Sequence, residues 1–199
     1  QGKIQGVMLE ADKAGTITRL VVTLQGGRVQ WMMEESDSVE TRLRPEQCIE
    51  NARAELARQG YTDLAVTWTQ QYDGVLIINF AHSKDDVIFY PDLVKARVRM
   101  DDGTLCGLDA TGWLMNHHDR PSVEPALPAE EAQKLVSPLL EIESVQLAVI
   151  PTEGGGENLC WEFMGKFGGD TFFVYIDSVT GKEANIFRVI NTSDGSLIV

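Results

Sequence analysis

Two adjacent histidines and an aspartate, His117, His118 and Asp119, are the side chains of this sequence best suited to chemistry. Imidazoles beside a carboxylate can ligate zinc or carry a proton. A metal centre needs three or four converging donors, with further hydrogen bonds orienting the histidines. The one remaining histidine, His82, lies in a loop before Ser-Lys-Asp-Asp-Val. Neighbouring residues on a strand face opposite ways, so an extended His117–His118 pair cannot easily share one ion. The spacing favours strand-end and linker residues. A metal-dependent hydrolase using His117 or His118 stands as the alternative.

The other candidates read more simply. Asp85-Asp86 and Asp101-Asp102 are paired carboxylates of the kind acid–base chemistry uses, but both border turns, where Asp bonds its own backbone. The stretch EGGGEN at 153–158 could cradle a phosphate, yet it lacks the lysine and helix of a P-loop. Its flanking Glu153 and Glu157 would repel an anion, so a hairpin loop is expected. No serine sits in a GxSxG context. Cys48, Cys106 and Cys160 are widely spaced among apolar neighbours. Such thiols pack as small hydrophobes, with one disulfide as the alternative; no CxxC pair suggests zinc or redox work. No catalytic group, cofactor site or metal site is expected.

The formal charge, 17 − 30 = −13, argues against nucleic acid or anionic lipid as the main partner. A 43% hydrophobic share permits a real core in a chain of 199 residues. No run approaches the ~20 apolar residues of a membrane span, and no signal-type leader is present. The chain opens on Gln1 and enters strand-like sequence almost at once. It is therefore expected to be a portion of something longer, with any anchor lying upstream.

The positions that hold these residues follow a repeated plan. LRPEQCIENARAELARQGY from Leu43 and LPAEEAQKLVSPLLEIESV from Leu127 align at an offset of 127 − 43 = 84. Both carry Pro near the first helical turn and an early Glu. In the first helix Ile49, Ala52, Arg53 and Leu56 form the stripe, the stem of Arg53 at its edge, with Gly60 as its stop. In the second, Ala132, Leu135, Val136 and Leu139 do so, and Pro138 shortens it. The period then changes to two. LAVTWTQQ, a turn at Asp73-Gly74 and VLIINFA predict a hairpin. Val94, Ala96, Val98 and Met100 alternate with Lys95, Arg97 and Arg99 before a turn at Asp102-Gly103. VQLAVIP, NLCWEFMGKF, TFFVYIDS and EANIFRVI repeat the order, and the N-terminal stretch matches only its late strands.

The predicted fold is therefore α+β, in three segments: 1–40 (strands only), 41–120 and 121–199. Each complete segment is expected to be a helix packed on an antiparallel meander of about four strands. A single non-repeating α+β domain is the alternative. Trp68, Phe80, Trp161, Phe163 and Phe172 are then expected in core or inter-unit packing rather than a ligand groove.

One motif is specific enough to suggest a family. Tyr90-Pro91-Asp92, an alternating strand, Asp102-Gly103, Gly107, Ala110, Gly112, His118 and Arg120, after a helix opening LRPEQCIENARAEL, resemble the PepSY-repeat region of the YpeB sporulation and germination family. LPAEEA at 127–132 is similar to the start of a further PepSY unit. The resemblance implies a non-catalytic protein with no cofactor, anchored N-terminally in the spore inner membrane and facing the cortex. It also implies a partner, a SleB-like cortex-lytic enzyme acting in cortex breakdown during germination. PepSY modules elsewhere are associated with inhibition of peptidases, which makes a direct peptidase inhibitor a further alternative. On this reading Tyr90, Pro91, Asp92, Asp102, Gly103, Gly107, Gly112, His118 and Arg120 serve architecture or interaction.

Overall fold

The computed structural model describes residues 4–13, 15–35, 40–192 and 195–198. The chain folds as two compact units, one of Gln1–His82 with Pro91–His118, the other of Ser83–Tyr90 with Asp119–Val199.

In the first unit three strands come first: β1 (Gly6–Lys13), β2 (Thr16–Thr23) and β3 (Val29–Glu34). Helix α1 (Pro45–Arg58) follows, then β4 (Leu64–Tyr72), β5 (Val75–Lys84), β6 (Val87–Arg99), β7 (Leu105–Asp109) and the short helix α2 (Thr111–Asn116). Strands β1, β2, β3, β7 and β6 pair in that order, and β5 joins β6 to β4. Helix α1 begins with Pro45 in its first turn, and Gln47 reaches back to the Arg44 amide at 3.0 Å. It ends at Gly60, whose φ of +84 suits glycine. Its buried face is Cys48, Ala52 and Leu56. Cys48 joins that face, and Arg53, expected with its stem at the edge of the stripe, lies over the Phe80 ring at 5.6 Å and bonds the Leu64 carbonyl. That face packs on Ile78, Phe80, Val94, Ala96, Val98 and Leu108. Val94, Ala96, Val98 and Met100 are all fully buried, as their alternation requires.

The second unit begins with α3 (Ala129–Gln133), then β8 (Glu141–Pro151), β9 (Glu157–Phe167), β10 (Asp170–Asp177), β11 (Glu183–Thr192) and β12 (Gly195–Ile198). These five strands form an antiparallel meander. The start of β6, Val87–Phe89, pairs with Leu147–Val149 of β8 in parallel. The sheet is thus mixed, and the all-antiparallel expectation is corrected. A parallel pair needs a long crossover, and residues 100–140 supply it. Helix α3 has only five residues and buries Ala132. Val136 is buried beyond it, but Leu135 and Leu139 of the expected stripe are exposed. The segment Lys134–Leu140 is turn rather than helix, since Pro138 cannot donate a helical hydrogen bond. Ala132, Val136, Phe163, Val174 and Ile176 form this unit's core. A fold mostly of sheet with few helices is what the alternating pattern predicts. Among the described residues no helix is long and apolar enough to cross a membrane.

Candidate functional site

The residues around the Tyr90-Pro91-Asp92 motif carry the chemistry of both units. In the first unit Asp92 is fully buried, and its carboxylate meets His117 Nδ1 at 2.7 Å. The His117 ring stacks on Trp113, centroids 3.8 Å apart and planes 14° apart. His82 stands edge-on to both rings, at 4.8 Å from His117 and 5.5 Å from Trp113. Helix α2 makes this arrangement. His117 was expected at a strand end; instead TGWLMN before it is helical, and His117 caps that helix in extended conformation. Four residues apart on the helix and cap, Trp113 and His117 fall on one face.

Gly112 explains how α2 can lie there. A side chain at this position would meet Leu93 O at 2.9 Å, Leu93 N at 3.2 Å and Pro91 O at 3.2 Å, all backbone. Asn116 Nδ2 donates to the same Pro91 carbonyl at 2.9 Å. The glycine is therefore a requirement of close approach, helix backbone on strand backbone.

His118, by contrast, is exposed, and its Nδ1 lies 2.6 Å from the Asn116 carbonyl. The two histidines thus diverge as expected, but because of a helix cap rather than strand alternation. Among the described residues, no three His, Cys, Asp or Glu side chains are grouped to hold a metal ion.

In the second unit the motif's Tyr90 borders a buried acid that the sequence reading overlooked. Glu162 of β9 is 2% exposed and accepts from Gln146 Nε2 at 2.7 Å. Tyr90 and Tyr175 adjoin it, ring centroids 6.2 Å apart. Burial first, then the Glu162 charge, pushes both phenols well above their ordinary value. The available signal was one charged residue inside the apolar run Leu159–Met164.

Arg120 is also buried. Its guanidinium grips Glu157 through Nε at 3.0 Å and Nη2 at 2.7 Å, a fork that only Arg offers. It also lies 5.0 Å over the Phe89 ring. Lys84 donates to the Arg120 carbonyl at 2.9 Å. Glu157, expected merely to flank a glycine loop, thus anchors a motif residue.

The remaining motif positions are turns and contacts. Asp102-Gly103 closes the β6–β7 hairpin, with Thr104 N on Asp102 Oδ1 at 2.8 Å. Gly107 lies against the Arg97 stem. Asp101 bonds Arg99 at 2.8 Å, which holds its carboxyl below the usual range. Asp85 accepts from Ser122 at 2.8 Å, and both Asp85 and Asp86 take positive φ in the β5–β6 turn. All three cysteines are free and buried, and burial raises each thiol, Cys160 to about 11.

The profile of the family described as "YpeB sporulation, PepSY1 and PepSY2 domains" matches residues 2–122. The chain belongs to the YpeB sporulation family. A "Sporulation protein YpeB" from Halalkalibacterium halodurans is 32% identical over 170 residues, 85% of this chain and 38% of that protein. The Bacillus subtilis YpeB is 27% identical over 172 residues, again 85% and 38%. The chain thus spans about 38% of the length of these YpeB relatives. A solved "Bacillus megaterium YpeB C-terminal domain" shares the fold, with a TM-score of 0.79 at 24% identity. That match covers 96% of this chain and 92% of the other.

Proposed function

We propose that this YpeB-family chain is a non-catalytic recognition scaffold that binds, stabilises or restrains a SleB-like cortex-lytic hydrolase during spore germination. On this reading it belongs to a longer polypeptide held at the spore inner membrane, facing the cortex. Segments 1–40, 41–120 and 121–199 then act as successive PepSY-like modules. One observation carries the reading: the motif residues Asp92, Arg120 and Gly112 are taken up by contacts inside their own units. Asp92 meets His117, Arg120 meets Glu157, and Gly112 meets the β6 backbone. A motif that serves internal architecture leaves outer surfaces for partners.

Co-purification from spore membranes tests the proposal. The full-length protein is expected to carry the cognate lytic enzyme with it. The same preparation should release no peptidoglycan fragments once that enzyme is removed. Failure to associate with both full-length proteins and membrane present would overturn the reading, as would lytic activity retained by the purified protein.

A further inference from the structure

Strand β4 is an edge. Among the described residues its nine residues pair with β5 alone. An edge strand presents a row of unpaired N–H and C=O groups, which folded proteins guard with lysine, proline or a bulge. β4 carries no charged residue and no proline. Its bulge lies between Val66 and Trp68, so the stretch Thr69–Tyr72 runs regularly. The main-chain groups that point outward follow from the turn. Tyr72 and Val75 close a hairpin through Asp73 and Gly74, both at positive φ. The pair closing such a two-residue turn exchanges both of its main-chain bonds, and the pattern then alternates. Tyr72 and Gln70 thus spend their N–H and C=O on β5, whereas Gln71 and Thr69 turn theirs away from it.

The second unit shows what such an edge takes. β8, like β4, is the first strand after its unit's helix. Val145 of β8 pairs with the fully buried Phe163, as Val66 of β4 pairs with the fully buried Phe80. Further along, Leu147 pairs with Trp161 as Thr69 pairs with Ile78. The stretch Thr69–Gln71 therefore holds the place of Leu147–Val149, and to Leu147–Val149 the segment Val87–Phe89 pairs in parallel. One of two equivalent edges is filled by an extended apolar segment. The other has no strand on it among the described residues.

We infer that Thr69–Gln71 receives an extended segment of a partner protein as a parallel strand, which deepens the scaffold reading above and rests on it. The guest residue opposite Gln70 donates its N–H to the Thr69 carbonyl and accepts from the Gln71 N–H. Main-chain bonds of this kind give affinity, and alternate side chains give specificity. The guest is uncharged and β-branched or aromatic, as Val87-Ile88-Phe89 is. It lays one side chain on Val66, which is 36% exposed on the same face as Thr69. A second copy does not suit this edge. Two chains of charge −13 repel, and an antiparallel β4 pair centred on Trp68 would set Asp63 of one copy against Asp73 of the other.

The test follows main-chain amides of the full-length protein by residue-resolved hydrogen exchange, before and after addition of the cognate lytic enzyme. Alone, Thr69 and Gln71 should exchange faster than Gln70 and Tyr72; with the enzyme they should slow at least about tenfold and close that gap. Gln71→Pro removes the outward donor but no bond to β5, a change that edge strands accept. It should weaken association at least about tenfold, whereas Gln71→Ala should associate like the parent. Association of Gln71→Pro at parental strength overturns the inference and leaves the scaffold reading standing, as does bound enzyme that leaves Thr69 and Gln71 unprotected. No association by the parent overturns both. Protection already present without enzyme means a strand from the same polypeptide, or a second copy if it grows with protein concentration, and either result overturns the inference. Should Gln71→Pro fail to fold, exchange in the unaltered protein decides alone.

Discussion

Replacing Gly112 with Ala isolates the contact on which the His117–Asp92 pair depends. In an open helix Gly→Ala stabilises by roughly 1 kcal/mol. Here the new methyl would sit 2.9 Å from Leu93 O and about as close to two further backbone atoms. Neither strand nor helix backbone can rotate away as a side chain would, so α2 must lift from β6. Overpacking of this kind costs about 1–3 kcal/mol, and lifting α2 also weakens the Asn116–Pro91 and His117–Asp92 bonds. Against the propensity gain, a net loss of about 1–2 kcal/mol is expected. For a chain of this size that lowers Tm by roughly 2–8 °C. Gly154→Ala, where nothing lies within 4 Å of the new methyl, serves as the neutral control. Calorimetry gives Tm, and hydrogen exchange should show faster opening at Trp113–His117. A Gly112→Ala protein as stable as its parent would refute the close-approach argument.

The remaining expectations separate residues that look alike in sequence. His117→Ala removes both the Asp92 bond and the Trp113 stack and should cost about 1–3 kcal/mol in urea unfolding. His118→Ala, at an exposed position, should stay within about 0.5 kcal/mol. Arg120→Lys keeps the charge but loses the fork on Glu157, and should be destabilised nearly as much as Arg120→Ala. The lowered Asp101 carboxyl stabilises the fold above its unfolded pKa, and this is lost as pH falls through the folded value. Arg99→Gln should therefore flatten the acid limb of the stability curve. Cys160, raised from 9.0 to about 11, is a thiol kept neutral by burial. Its contribution is fully present below pH 9 and is lost as pH rises through about 11, because the unfolded thiol ionises first. Thiol titration at neutral pH should find none of the three cysteines until denaturant is added.

How far the sequence reaches depends on whether the deciding contact is local. Helix α1, its glycine stop, the Asp73-Gly74 hairpin and the buried alternation of Val94–Met100 all follow from neighbours along the chain, and all were legible. Helix α2 was not, because TGWLMN is too short to show a period and turns helical by packing on β6. The parallel β6–β8 pair joins Val87 to Leu147, far outside any local window. The same holds for the polar partners. Glu157 and Arg120 lie 37 residues apart, and His117 and Asp92 25, so neither pair had a spacing to detect. Yet each pair includes a residue of the Tyr90–Arg120 motif, and each partner lies within the same compact unit. The motif thus recorded the near halves of contacts whose far halves only the fold supplies. This is why residues that looked like dispersed chemistry, an aspartate, a histidine and an arginine, prove to be the fastenings of two sheet-based units.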